Sequence, residues 1–462
     1  MKPKYFLALG LLVLGLGSCG ESFFEQYPSN NITEGNFYKT DDDFNQGVVA
    51  CYAKLKTQMS FHLTEIGYRG DENVLESMAV STQNRYDIDH FAETANNGIL
   101  NDIWNAWYNG IYRCNDVLDH MTGAKIANYD KYRGECLFLR SWWYFNLYRV
   151  FGVVPITRTV VTPAAAKLIP RCTEEEMYTL LTEDLAEAAR LLPPTPGPEK
   201  ARVANIAAYT LLAKVYLTFG KPAEAKTALE EAMKNTSYGL ESTTKKVFDV
   251  GNKMNREIIF ALYYNKTNDN GHGYWYSANT DVLADINNPT PTFKAIYDSE
   301  KDNRLPLISS YTKIKDNLFA MTKWYDTYDA TYTTQVGNDF PHLRYADVVL
   351  MYAEALAESG GSLGDALEWL NKTCTPAGLD ELTTDEVKSL AEFRRELAAE
   401  RGREFALEGH RWFDLVRLGL AVDYFREMGY SLDSHNLIFP IPQNQIEIVN
   451  NPSILWQNPG FN

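Results

Sequence analysis

The stretch ERGREFALEGHRWFDLVRLG, from Glu400, gathers side chains that could do chemistry: Glu400, Glu404, Glu408, His410 and Asp414. Carboxylates beside a histidine can take and return protons, so acid–base catalysis is the first reading to weigh. The spacing argues against it. Glu400, Glu404 and Glu408 recur every four residues, which places them on one face of a helix, and Arg401, Arg403 and Arg411 are interleaved with them. The expected outcome is an ion-pair network that locks a scaffold. Asp71-Glu72 and the run Asp41, Asp42, Asp43 likewise read as solvated faces or helix caps. The sequence contains no HExxH, GxxxxGK[ST] or EF-hand loop.

A different kind of chemistry stands at the N-terminus, in LLVLGLGSCGESFFEQYPSN. Lys2 and Lys4 precede a mostly apolar run from Tyr5 to Leu16, the build of a secretory leader. The run is shorter than the roughly 20 residues that span a bilayer. Leu16-Gly17-Ser18-Cys19 resembles a bacterial lipoprotein box, in which the cysteine thiol takes a diacylglycerol before cleavage. Cys19 is therefore expected to begin the mature chain and to anchor it to a membrane by several acyl chains.

The rest of the composition suits an exported body. Length alone allows about three domains. Hydrophobic residues make up 45% of the chain, enough for a large core. The net charge is −16, and −18 without Lys2 and Lys4, which excludes the basic footprint of a nucleic-acid binder. It also excludes an electrostatic hold on anionic lipid. Besides Cys19 there are Cys51, Cys114, Cys136, Cys172 and Cys374, odd in number, far apart and without CxxC. That pattern speaks against a disulfide framework and a zinc site. No cofactor or metal is implied.

Helices must position whatever binds. In ARVANIAAYTLLAKVYLTFGKPAEAKTALEEAMK, Tyr209, Leu212, Ala213 and Tyr216 follow the spacing of the first helix of a tetratricopeptide repeat, and Ala225 and Leu229 that of its second. Gly220 and Pro222 make the turn. In RYADVVLMYAEALAESGGSLGDALEWL, Val349, Tyr352, Ala353 and Leu356, then Ala366 and Leu370, repeat the pattern. Looser helical pairs lie at 101–121 with 131–151. A further helix, from about 174 to 192, opens on a capping-box spacing, Thr173 and Glu176. Units of this kind stack into a curved solenoid. Between the two clear repeats, residues from about 236 to 341 lack helical period and are rich in Asn, Asp, Gly, Thr and Tyr. Their many aromatics argue for an irregular lobe with short strands rather than disorder.

Four stretches taken in order, KYRGECLFLRSWWYFNLYRVFGVVPI, LRYADVVLMYAEAL, ERGREFALEGHRWFDLVRLG and FPIPQNQIEIVNNPSILWQNPGF, resemble the SusD/RagB family. FFEQYPSNNITEGNFYKTDDDF resembles the family's start. The resemblance implies a mainly α, tetratricopeptide-like scaffold carrying an irregular ligand-binding lobe. It implies a cell-surface lipoprotein of the Gram-negative outer membrane that binds oligosaccharides, and a TonB-dependent, SusC-like transporter as partner, with no enzymatic step. The chain then divides into a leader at 1–18, a lipidated tether at 19–36, a helical-repeat part at 37–235 with ligand-facing loops at about 62–100, a lobe at 236–342, and a helical-repeat part with a tail at 343–462. Arg133, Glu135, Arg140, Arg344, Asp347 and Glu354 fall on repeat helices with apolar neighbours and are expected to be salt-bridged, because buried charges need partners.

A sugar site needs flat aromatics for the C–H faces of the rings and Asn, Asp or Arg for the hydroxyls. Trp142, Trp143 and Trp412 lie in family motifs and read as core, and Trp324 resembles a structural position. The ligand candidates are Tyr274, Trp275 and Tyr276 with Asn279, inside the lobe, and Arg69, Asp71 and Tyr86, in the segment that supplies binding residues in the family. Peptides instead of glycans are the first alternative ligand. A protein-interaction scaffold without a small ligand is the second alternative, against which the lobe argues, and a hydrolase the third.

Overall fold

The computed structural model describes residues 37–72, 83–197, 199–264, 277–279, 289–315, 318–326 and 337–461. Helix α1 (Asp41–Gly67) starts on Thr40. The Asp43 N–H donates to the Thr40 hydroxyl, and the Thr40 N–H donates to the Asp43 carboxylate at 2.7 Å. This reciprocal cap satisfies two donors that the helix itself leaves orphaned. The acidic run at 41–43 is thus a cap, placed where the helix dipole favours negative charge. Phe44, Val48, Cys51 and Leu55, spaced four, three and four apart, turn one face of α1 into the core. That spacing is the signal in the sequence for this helix.

Helices α2 (Gln83–Asp89), α3 (Gly98–His120), α4 (Tyr129–Phe151), α5 (Glu174–Leu191), α6 (Asn205–Thr218) and α7 (Pro222–Met233) follow. From α3 onward each packs on the next. The expected capping box at Thr173 and Glu176 opens α5. Gly220, at φ +67°, makes the α6–α7 turn, a conformation that glycine adopts without strain. Helix α4 is buried on nearly every side, so it must bury polar groups too. Arg140, on that helix, is met by Asp184 of α5 through a two-pronged contact at 2.8 and 2.9 Å. The thiols of Cys51, Cys114 and Cys136 meet where α1, α3 and α4 join.

Five strands and six helices complete the described chain's main elements: β1 (Ile258–Leu262), β2 (Ser277–Asn279), β3 (Tyr311–Lys315), β4 (Leu318–Met321), β5 (Phe340–Arg344), α8 (Tyr345–Glu358), α9 (Leu363–Cys374), α10 (Leu390–Glu404), α11 (Arg411–Arg417), α12 (Ala421–Glu427) and α13 (Gln443–Val449). The two clear repeats, α6–α7 and α8–α9, are far apart in sequence but neighbours in space, because α7 packs on α8. Ala225, Leu229, Ala353, Ala366 and Leu370 are all fully buried at these seams. Strands β2, β4 and β3 form one antiparallel sheet, and β1 pairs antiparallel with β5. Both β1 and β5 are buried along their whole length. Phe260 of β1 packs edge-on to Phe138 and Trp142. This ladder is part of the core, and the position 342/343 falls inside β5, which runs straight into α8.

Candidate ligand-binding site

The cluster that invited acid–base chemistry is closed to substrate. Arg344 reaches Glu408 at 2.8 Å, Glu404 at 2.7 Å and Glu257 at 2.6 Å. Arg304 holds Asp302, Glu400 and Glu404 at 2.8 to 2.9 Å, and Lys323 holds Glu408 at 2.7 Å. Arg401 joins Asp347 to Asp414. Glu400 is wholly buried, and burial alone raises a carboxyl pKa; Arg304 and Arg403 outweigh it and hold the group at about 2. His410 is also buried, which pushes its pKa well below the ordinary value and keeps the ring neutral. The one-face arrangement expected for Glu400, Glu404 and Glu408 stops at α10's end. Leu407 takes φ +64°, the chain turns, and Glu408 returns to the network from outside the helix.

The remaining charges expected to be bridged are so placed. Arg133 meets Glu187 at 2.8 Å, Glu135 meets Arg202 at 3.6 Å, and Glu354 pairs with Arg417. Trp142, Trp143, Trp324 and Trp412 are core, as expected.

Two of the ligand candidates belong to this scaffold, which corrects the expectation for them. Arg69 is 0% exposed. It pairs with Glu93, and its guanidinium lies 4.1 Å from the Phe439 ring centre, 4.8 Å from Phe91 and 5.3 Å from Trp412. Asp71 is 1% exposed, bridged to Arg411 at 2.8 Å and bonded by the Tyr424 hydroxyl. A sugar reaching either group must first break an ion pair sealed under rings. Asp71 ties the chain just after α1 to the α11–α12 region instead, across more than 300 residues, while Arg69 pairs with nearby Glu93 beneath the Trp412 ring.

Tyr86 stays partly exposed on α2 and stacks on His90, with ring centres 3.8 Å apart. Arg85 beside it is also partly exposed and reaches Glu65 at 3.3 Å. Asn279 ends β2, opposite Leu318 on β4. Tyr274, Trp275 and Tyr276 lie outside the described residues. Tyr263 is a residue the sequence reading passed over: 44% exposed at the end of β1, with the Lys253 ammonium 4.1 Å from its ring centre. Lys253 in turn meets Asp339 at 2.8 Å. The sequence held no alternation to mark it: β1 is buried along its whole length, and Tyr263, just beyond it, lies exposed between buried Leu262 and Tyr264. An exposed ring beside a cation and a carboxylate suits a hydroxylated ligand. Among the described residues no group of His, Cys, Asp and Glu is arranged to hold a metal ion. No helix among them is long and apolar enough to cross a membrane.

Two sequence models match the chain. One, described as the SusD family, matches residues 302–461. The other, described as starch-binding and associating with the outer membrane, matches residues 27–217. The chain belongs to the SusD family. Its full-length relatives include SusD-like protein P2 of Formosa agariphila, 25% identical over 99% of this chain and 100% of the relative. Among solved structures, a SusD-like protein from Bacteroides fragilis superposes with a TM-score of 0.78 at 22% identity, covering 94% of this chain and 100% of that one. Surface glycan-binding protein A from Bacteroides thetaiotaomicron, in complex with laminarihexaose, superposes with a TM-score of 0.74 at 21% identity, covering 91% and 99%. The mainly α, repeat-built SusD fold expected from the sequence is the fold observed.

Proposed function

We propose that this SusD-family chain is a lipid-anchored protein of the outer membrane's outer face that captures oligosaccharides and passes them to a TonB-dependent, SusC-like transporter. The observation that carries the proposal is the match of residues 27–217 to a family described as starch-binding and associating with the outer membrane. The laminarihexaose complex of a structural relative, the partly exposed ring of Tyr86 and the exposed ring of Tyr263 support it. The role is capture without bond making, since the carboxylates of the acid–base cluster are buried in ion pairs. The ligand face combines Tyr86, Tyr263, Asn279 and the aromatic triplet Tyr274, Trp275 and Tyr276.

A glycan array probed beside a matched peptide pool tests the proposal. Glycan signals with a silent peptide pool are expected, and the reverse makes the ligand a peptide. Trp275→Ala locates the site. A stacked ring can contribute about 2 kcal/mol or more when truncated, so at least a tenfold loss of glycan affinity is expected, with little change in melting temperature. Unchanged binding by a destabilised Trp275 variant makes that ring core and leaves Tyr86 and Tyr263 as the platform.

A further inference from the structure

A cleft of about 290 Å³ opens where the end of α4, the end of α6 and α11 meet. It is close in size to the smallest small-molecule pockets, which start at about 300 Å³. Arg149, Lys214, His410, Asp414 and Arg417 supply its polar lining. The carboxylates around it are already engaged. Arg417 is shared between Glu354 and Asp414, and Asp414 also receives Arg401 at 2.7 Å. The Lys214 ammonium is 2.5 Å from Asp347, which receives Arg401 as well. Glu354, Asp347 and Asp414 thus serve Arg401, Arg417 and Lys214. Arg149 is the cation left over: among the described residues no carboxylate lies within ion-pair distance of it.

Arg149 is held in place without a direct ion pair, with Asp414 and Asp347 acting on it only from beyond contact distance. It donates to Asn146, and its guanidinium lies 3.9 Å from the Phe413 ring centre and 4.7 Å from that of Phe145. Its Nε is buried and has no hydrogen-bond partner. Burial lowers its pKa to about 9, which still leaves it charged at neutral pH. A guanidinium positioned by aromatic rings keeps its in-plane fork of N–H donors, the geometry that takes a carboxylate in two parallel bonds. His410 adds a neutral ring: its Nδ1 faces the Lys214 ammonium at 3.4 Å, which leaves the ring proton on Nε2 as a donor.

We propose that this cleft binds a small organic carboxylate, no larger than one acidic sugar residue, with the Arg149 fork as its charged anchor. The proposal is independent of the glycan face. Calorimetric titration of the purified protein at low ionic strength with glucuronate, acetate and glucose tests it. Carboxylate binding is expected with no heat from glucose, which keeps the ring and lacks the charge. Tighter binding of glucuronate than of acetate assigns an acidic sugar, and the reverse assigns a small free acid. Arg149→Met should weaken carboxylate binding at least tenfold. It strands no carboxylate, so the variant should fold with its melting temperature unchanged or raised. Val416→Trp, which fills the cleft from its wall without removing a charge, should give the same loss and serves if Arg149→Met does not fold. Equal binding of glucose and glucuronate, absence of binding by both carboxylates, or wild-type affinity in these variants overturns the proposal.

Discussion

A carboxylate taken out of water costs free energy unless cations meet it, and this protein meets most of its buried carboxylates with arginine forks. Glu404 is shared by Arg344 at 2.7 Å and Arg304 at 2.9 Å. Removing one partner of such a buried set costs about 3–5 kcal/mol. Both arginines keep other carboxylates, so Glu404→Gln should fall near the lower end, about 3 kcal/mol. Denaturant unfolding reads the loss, and glycan affinity of the folded fraction should not move. Glu72 is the opposite case. Burial, with Asp71 close by, pushes its carboxyl up to about 8, against the Leu407 N–H that it accepts at 2.9 Å. Between its unfolded pKa, near 4.5, and 8, the folded state binds more protons than the unfolded one, so this group makes stability fall as pH rises. Glu72→Gln mimics the protonated form. It should leave the melting temperature unchanged at pH 4.5 and raise it at pH 8.5; an equal effect at both pH values means the carboxyl is not held protonated.

At the scale of elements, the close approach of α3 and α4 hangs on Gly110. A Cβ added there would lie 2.2 Å from the Trp143 ring, far inside contact distance. Alanine in place of glycine inside a helix ordinarily gains about 0.5–1 kcal/mol. Overpacking a full core costs about 1–3 kcal/mol and sometimes more. At 2.2 Å the clash wins, because Trp143 is 0% exposed and has nowhere to rotate. Gly110→Ala should lower stability by about 2 kcal/mol, and Trp143→Phe in the same chain should recover part of it, as thermal melts would show. The helices α5 to α9 were legible because their signals are local: apolar spacing, small residues at seams, a capping box. The β1–β5 ladder was less so. Its strands lie some 80 residues apart in the chain, and only their pairing places them both in the core.

For the molecule as a whole, the proposed lipid anchor at Cys19 would decide where the fold works. Cys19 lies outside the described residues, so the lipoprotein reading rests on the leader, the LGSC box and membership in the SusD family. Cys19→Ala should give a folded protein that leaves the membrane fraction in cells lacking the partner transporter. Retention there counts against lipid anchoring. Under the proposed function, such a tether would keep the protein beside its transporter and make hand-over of a ligand effectively intramolecular. Protease treatment of whole cells reads the orientation, since a protein on the outer face is shaved and one on the inner face is protected.

The sequence by itself determined the helical repeats, the charge sign and the family, because each depends on residues a few positions apart or on an ordered series of motifs. It also separated scaffold from chemistry at Glu400–Arg417, where interleaved opposite charges read as ion pairs, although Glu404 and Glu408 take their partners Arg304, Arg344 and Lys323 from elsewhere in the chain. Tertiary structure alone decided which charged and aromatic groups face water. Arg69 and Asp71 carry the residue types of a sugar site, but Glu93 and Arg411 take them into the interior, the second pair joined across 340 positions. Tyr263 and Trp324 are both aromatic and both in the lobe, yet one is 44% exposed and the other 1%. Arg149 shows the same limit from the other side. Its sequence neighbours suggest one more bridged arginine of a repeat helix, and only the assembled set of carboxylates around it, each already engaged, leaves it without an ion pair among the described residues. Local order follows from local spacing, whereas exposure and charge balance follow from long-range packing.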